Sequence, residues 1–227
     1  MLFPLEGVGR VVPRWRGLGV VSMTRIILVR HGQTEWNRVE RFRGRADVPL
    51  NKTGLVQADV TGRRIAAEWR PAAIYSSPLS RAVKTAEIIA QYFELPVNVH
   101  SDLIDVDYGQ WQGLTPDEVR ERWPEMIDDW YNKPAAARIP GGETLEELRS
   151  RALTVIDALA TRHKDQTIVV VGHTVINRII LLGVLGLSNE RFWRLRQDTC
   201  AVNCFEAEGG DFTLVSLNDA CHLRSEI

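Results

Sequence analysis

Ile26-Ile27-Leu28-Val29-Arg30-His31-Gly32-Gln33-Thr34-Glu35-Trp36-Asn37 joins a short apolar run to a turn dense in reactive side chains. Ile26 to Val29 is β-branched and apolar enough to form a buried strand. The run stops abruptly at Arg30, His31 and Gly32. Ligands of open α/β sheets bind in the crevice beyond the carboxyl ends of the strands. A cation, an imidazole and a flexible glycine at that point predict a site for an anion that reacts with imidazole.

Working outward, Asp47 to Gly54 reads as a turn into a helix over about 53–69, with Leu55, Ala58, Ile65, Ala66 and Trp69 on its apolar face. Ala73-Ile74-Tyr75-Ser76 is a second short strand, followed by a helix from Leu79 to about Phe93. Val97 to His100 is a brief strand. Residues 114–140, interrupted by Pro124, Pro134 and Pro140, read as a cap-like excursion from the sheet. Thr144 with Glu147 forms a capping-box signature for a helix over about 145–162. Thr167 to Val171 is a strongly β-branched strand that ends in Gly172-His173-Thr174 and runs into an apolar helix through Leu185. Runs at 200–206 and 212–218 read as late, edge-like strands. Alternating strands and helices predict an α/β fold, three-layered, with a mostly parallel central sheet flanked by helices.

The 227 residues suit one core, and 28 basic against 29 acidic side chains leave no global field that points to nucleic acid or an acidic membrane. No apolar stretch approaches the ~20 residues needed to span a bilayer. The three cysteines, Cys200, Cys204 and Cys221, show neither a disulfide framework nor zinc spacing. A reduced, cytoplasmic location is expected. Residues 1–22 are rich in Gly and Arg without a clear period. Met23 stands directly before the first strand, so residues 1–22 are read as an upstream extension and 23–227 as a single domain. Arg38, Arg41, Arg43 and Arg45 crowd the segment after the opening stretch, as a solvated basic loop or as the rim of a site.

Two strands end alike, in Arg30-His31-Gly32 and Gly172-His173-Thr174. As neighbours in a parallel sheet they would bring His31 and His173 to one edge. One histidine at a strand end is more often structural than catalytic; two on equivalent ends shift that balance. Arg81 adds a further cation at the start of a helix, where free N–H groups and partial positive charge favour an anion. Paired arginines and imidazoles suit phosphate, because the guanidinium fork matches its oxygens and stays charged. Phosphoryl transfer needs mainly positioning and charge stabilisation, and an imidazole can serve as the covalent acceptor. No metal-ligand cluster and no GxxxxGK[ST] loop accompany these residues, so neither a metal nor a cofactor is expected.

From residue 24 to about 222 the chain resembles the histidine phosphatase superfamily, in the branch that contains the cofactor-dependent phosphoglycerate mutases. The resemblance is carried by Leu28-Val29-Arg30-His31-Gly32-Gln33-Thr34-Glu35-Trp36-Asn37, Tyr75-Ser76-Ser77-Pro78-Leu79-Ser80-Arg81-Ala82, Pro140-Gly141-Gly142-Glu143-Thr144 and Val170-Val171-Gly172-His173-Thr174. It implies a phosphoglycerate mutase-like fold and His31 as the phosphorylated nucleophile. Arg30, Arg81 and His173 would bind the phosphoryl group, and Asn37 would assist. Asp105 stands where the family usually carries a Glu proton donor, one methylene longer; Asp107 is the alternative. Arg43 stands where many relatives carry Gln, and Tyr108 where phosphoserine-specific relatives carry His. The Leu217 to Leu223 tail is similar to that of small-molecule phosphatases, in which it approaches the substrate, so His222 would touch the leaving group.

The resemblance implies a metal-independent phosphatase acting on a small phosphorylated metabolite, such as phosphoserine, a phosphoglycerate-like acid or a sugar phosphate. The alternatives are a bisphosphoglycerate-dependent mutase, for which 114–140 looks short, and a phosphate-binding regulatory module. A homo-oligomer is left open.

Overall fold

Strand β1 (Thr24–Arg30) lies inside a six-stranded sheet whose order places it between two later strands of opposite direction. The computed structural model describes residues 22–224, so the extension expected over 1–22 lies almost wholly outside the described residues. After β1 come α1 (Glu35–Arg38), α2 (Lys52–Glu68), β2 (Ala73–Ser76), α3 (Ser80–Ala90) and β3 (Val97–Val99). The excursion holds α4 (Pro116–Arg122) and α5 (Pro124–Asn132). The chain then returns through α6 (Leu145–Arg162), β4 (Thr167–Gly172), α7 (Thr174–Val184), β5 (Val202–Glu208) and β6 (Asp211–Asp219). Sheet order is β3-β2-β4-β1-β5-β6. The pairs among β1, β2, β3 and β4 are parallel, whereas β5 runs antiparallel to both β1 and β6.

Alternation along β1 creates the layers, because successive side chains of a strand point to opposite faces. Ile26 and Leu28 pack with α6, α7, Trp111 and Trp130; Ile27 and Val29 pack with Ile65, Ala82, Ala86 and Ile89 of α2 and α3. Burying each such aliphatic side chain stabilises by roughly 1.5–3 kcal/mol. A cavity left by Leu28→Ala would cost about 2–5 kcal/mol. Helix α6 begins at the expected capping box: the Glu147 N–H donates to Thr144 Oγ1 at 3.2 Å, and the Thr144 N–H donates to Glu147 Oε2 at 2.8 Å.

Two details differ from the sequence reading. Leu55 is 40 % exposed, because the buried face of α2 includes the polar Gln57 and Thr61 alongside Ala58 and Ile65. Gln57 is turned inward by the N–H of Gln33, which donates to its Oε1 at 2.9 Å. Only β6 of the two late strands is an edge, since β5 is paired on both sides. Among the described residues no helix is long and apolar enough to cross a membrane.

Candidate active site

In-register pairing of β1 with β4 sets Arg30 opposite Gly172, so the next residue of each strand, His31 and His173, leaves the sheet at the same edge. Their ring centroids are 5.1 Å apart. The turn after His31 is tight because a Cβ on Gly32 would lie 2.4 Å from the Gly54 carbonyl oxygen at the start of α2. No side chain fits there, and α2 docks directly on the reactive turn.

Hydrogen bonding fixes both imidazoles. His31 Nδ1 is 2.6 Å from the Gly32 carbonyl oxygen, which only accepts, so the proton is on Nδ1 and the Nε2 lone pair is free. Arg81 Nε, which only donates, is 3.2 Å from His173 Nδ1; His173 therefore carries its proton on Nε2, which donates to Ser77 Oγ at 2.6 Å. Burial first, and the Arg81 charge second, hold both rings well below the ordinary imidazole range, so each is neutral at pH 7. Arg81 is fully buried and donates to the carbonyls of Ala46 and Gly44 at 2.6 and 2.8 Å. Arg30 donates from Nη1 to the Gln197 carbonyl at 2.5 Å and leaves its buried Nε without a partner. Desolvation brings Arg30 down to about 9 and Arg81 to about 10, both still charged at neutral pH.

The N–H groups at the starts of α3 and α7 are less open to an anion than the sequence suggests. Ser80 N donates to Asp47 Oδ1 at 2.8 Å, and Ile176 N donates to Asp105 Oδ1 at 3.2 Å. Carboxylates of the chain itself already face these helix ends, which leaves the arginines as the main source of positive charge.

Asp105 is buried, and that burial raises its pKa against the opposing pull of Arg81 and the Ile176 N–H. Its loop is held from behind by Arg151. One guanidinium nitrogen donates to the carbonyls of Asp102 and Ile104, each at 2.7 Å, and another to that of Asp105 at 3.1 Å. Glu143 grips the same guanidinium with 2.7 and 2.9 Å bonds, and accepts from Asp107 N at 3.3 Å. Asp107 itself pairs with Arg45 at 3.2 Å and is partly exposed. Arg151 and Glu143 were not singled out in the sequence, although Glu143 sits in the Pro-Gly-Gly-Glu-Thr segment.

A cavity of about 470 Å³ opens beside this cluster, with Arg30, Asn37, Arg43, Asp105 and Tyr108 in its lining. His31, Arg81 and His173 are buried just outside that lining, next to Arg30 and Gly44. Asn37 uses its carbonyl oxygen to accept from Thr34 N and Oγ1, each at 2.9 Å, which leaves its NH2 group for the cavity. The Arg-rich loop divides. Arg43 lines the cavity, braced by donation to the Trp36 carbonyl at 3.0 Å, whereas Arg38 is exposed and paired with Glu35.

His222 does not reach the cavity. It packs on α2, 3.0 Å from Thr61 Oγ1 and 3.1 Å from an Arg64 Nη, because the last 3-10 turn folds back beside Arg64 and Asp219. The expected contact with a leaving group is therefore corrected to a structural one. A residue overlooked in the sequence, Arg178, does line the cavity; its signal was a single charge within the otherwise uncharged helix α7. Among the described residues no group of three or more His, Cys, Asp or Glu is placed to hold a metal ion.

Comparison with known proteins agrees with this geometry. The family model described as histidine phosphatase superfamily (branch 1) matches residues 26–220. Phosphoserine phosphatase 1 of Hydrogenobacter thermophilus is 35 % identical over 201 residues, covering 88 % of this chain and 95 % of that protein. A metal-independent phosphoserine phosphatase of Arabidopsis thaliana is 33 % identical, covering 90 % of this chain and 85 % of its own. The solved structure of Bacillus stearothermophilus YhfR superposes with a TM-score of 0.84 at 30 % identity, covering 88 % of this chain and 100 % of that one. The chain belongs to the histidine phosphatase superfamily, branch 1, and its activity class is that of a phosphatase.

Proposed function

We propose that this protein is a metal-independent phosphomonoesterase that hydrolyses a small phosphorylated metabolite through a phosphohistidine at His31. The observation that carries the proposal is the His31 ring: its Nδ1 proton is committed to the Gly32 carbonyl, and burial keeps Nε2 unprotonated beside Arg30 and Arg81. In the first step Nε2 attacks phosphorus, the bond from phosphorus to the ester oxygen breaks, and Asp105 gives its proton to the departing oxygen. In the second step water attacks phosphorus, its proton passes to the Asp105 carboxylate, and the P–N electron pair returns to Nε2. The raised pKa of Asp105 suits the donor role. Arg30, Arg81, His173 and the Asn37 NH2 group would hold the equatorial oxygens; the unpartnered Arg30 Nε is a buried donor that such an oxygen would satisfy.

Residues 114–140 act in this reading as a cap within one domain, since Pro116 and Tyr131 reach the cavity wall. The substrates of the relatives make phosphoserine the first metabolite to test, followed by phosphoglycerate-like acids and sugar phosphates. A cytoplasmic location is part of the same reading.

The test is hydrolysis of p-nitrophenyl phosphate by the full chain with EDTA present, for wild type and His31→Ala. Activity that survives chelation and disappears in the variant supports the proposal. Loss on chelation overturns metal independence, and turnover by His31→Ala overturns the nucleophile.

A further inference from the structure

The cavity and its floor hold more positive charge than a phosphoryl group can use. Arg30, Arg43 and Arg178 line it and Arg81 lies directly behind, yet none of the four forms an ion pair with a carboxylate among the described residues. A phosphate monoester brings a charge of about −2 at neutral pH, and Asp105 contributes at most one more. Before the other acids of the lining are counted, one guanidinium stays uncompensated, and two when Asp105 is protonated. Asp198 is paired with Arg196 at 2.8 Å; Glu40, exposed at the mouth, acts on Arg43 but still leaves one guanidinium uncompensated when Asp105 is protonated.

Arg178 is held in the cavity wall by aromatic rings. Its guanidinium carbon lies 5.1 Å from the Phe192 ring centroid and 5.0 Å from that of Trp193, so the rings hold it in place while leaving its donors available. Its buried Nε has no hydrogen-bond partner, nor does the buried Oγ1 of Thr174 one helical turn earlier on α7. Both residues line the cavity, as does Arg43, whose Nη1 is tied to backbone carbonyls. Unsatisfied buried donors are costly, and a second anion at this place would satisfy them.

We infer that Arg43, Arg178 and the Thr174 hydroxyl form a second anion subsite, so that the preferred substrates are phosphomonoesters whose alcohol portion carries a carboxylate or a second phosphate. The subsite rests on the phosphatase reading above: Arg30 and Arg81 take the transferred group, and Arg43 with Arg178 take the distal anion. Trp193, partly exposed and tilted against Tyr131 with centroids 5.1 Å apart, forms part of the cavity wall beside Arg178.

Three esters with one three-carbon chain test it: propyl phosphate, 3-(phosphonooxy)propanoate and propane-1,3-diyl bisphosphate. Wild type is expected to favour one or both doubly anionic esters in kcat/KM by about tenfold or more, and Arg178→Gln or Arg43→Gln to reduce that preference by about tenfold, since each lost charged contact is of that size. Which doubly anionic ester gains more identifies the distal anion. Equal kcat/KM for all three in wild type overturns the subsite, as does a preference that persists in both folded variants. His31-dependent turnover without preference would overturn the subsite alone, whereas absence of His31-dependent turnover for every ester overturns the phosphatase reading. In that event the ratio of Kd values for the three esters on His31→Ala still decides the subsite, a ratio near one counting against it.

Discussion

His31 and His173 face one another in opposite tautomers. His31 is protonated on Nδ1, toward the Gly32 carbonyl, and His173 on Nε2, toward Ser77 Oγ. Only His31 therefore presents a free Nε2 lone pair. Brief exposure to a reactive phosphomonoester followed by alkaline denaturation is expected to leave a phosphoryl label on the His31 peptide and none on the His173 peptide. His31→Ala should lower turnover by roughly four or more orders of magnitude, as removal of a covalent nucleophile does. A label on His173 would reverse the assignment.

In the proposed mechanism Asp105 gives the proton, and its value depends on how badly the leaving group needs one. Asp105→Asn is expected to cost about 10²–10⁴-fold on an alkyl phosphate and far less on p-nitrophenyl phosphate, whose phenolate departs unaided. The same change in Asp107, which is partly exposed and paired with Arg45, should leave that difference between substrates intact. Asp105→Asn should also melt higher at a pH where the Asp105 carboxyl is ionised, because it removes a buried charge; about 1 kcal/mol corresponds to about 2–4 °C for a chain of this size.

Arg151 touches three carbonyls of the loop that carries Asp105 but not the cavity, so it acts as a positioning residue. Arg151→Met is expected to lower kcat on an alkyl phosphate by about tenfold or more, with little change in KM, because small displacements of a catalytic group are costly. Arg151→Lys, which keeps the charge without the fork, should recover part of the loss. A purely structural role would lower Tm while leaving the ratio of alkyl to p-nitrophenyl phosphate turnover unchanged.

Acid should destabilise the fold through its imidazoles. His31 and His173 have folded values below the ordinary imidazole value of about 6.5, with burial as the main cause. Between the folded and unfolded values the unfolded chain binds more protons, so stability is fully present above about pH 6.5 and declines as pH falls. His222, held at about 4 by burial and the Arg64 charge, adds a decline in the same direction. Asp105, with its raised value, opposes it. Melting temperatures recorded from about pH 7.5 down to about pH 4.5 should fall throughout the acid half; a flat profile would contradict the buried neutral rings.

His222→Ala tests the correction made to the tail. The side chain bridges Thr61 and Arg64 away from the cavity, so kcat/KM should change less than about twofold, while the lost bonds lower stability by about 0.5–1.5 kcal/mol each. A selective loss of turnover would restore His222 to the substrate.

What the sequence determined by itself was whatever is encoded by local pattern. The β-branched runs at 26–29 and 167–171 are buried strands, the Thr144/Glu147 box starts α6, and the two matching strand ends place His31 and His173 at one edge. Each depends on residues adjacent in the chain or on one parallel pairing. Tertiary structure alone decided which distant groups meet. Arg178 becomes a cavity cation because the 189–194 turn brings Phe192 and Trp193 around it, with Tyr131 of the excursion against Trp193, and Arg151 reaches Asp105 across 46 residues. The same folding withdrew features that looked functional: Asp47 and Asp105 face the starts of α3 and α7, and α2 takes His222. Periodicity reports which face of an element is buried. It carries no information about which charge will find a partner after that face is packed, and at this site the Nε groups of Arg30 and Arg178 are left without one.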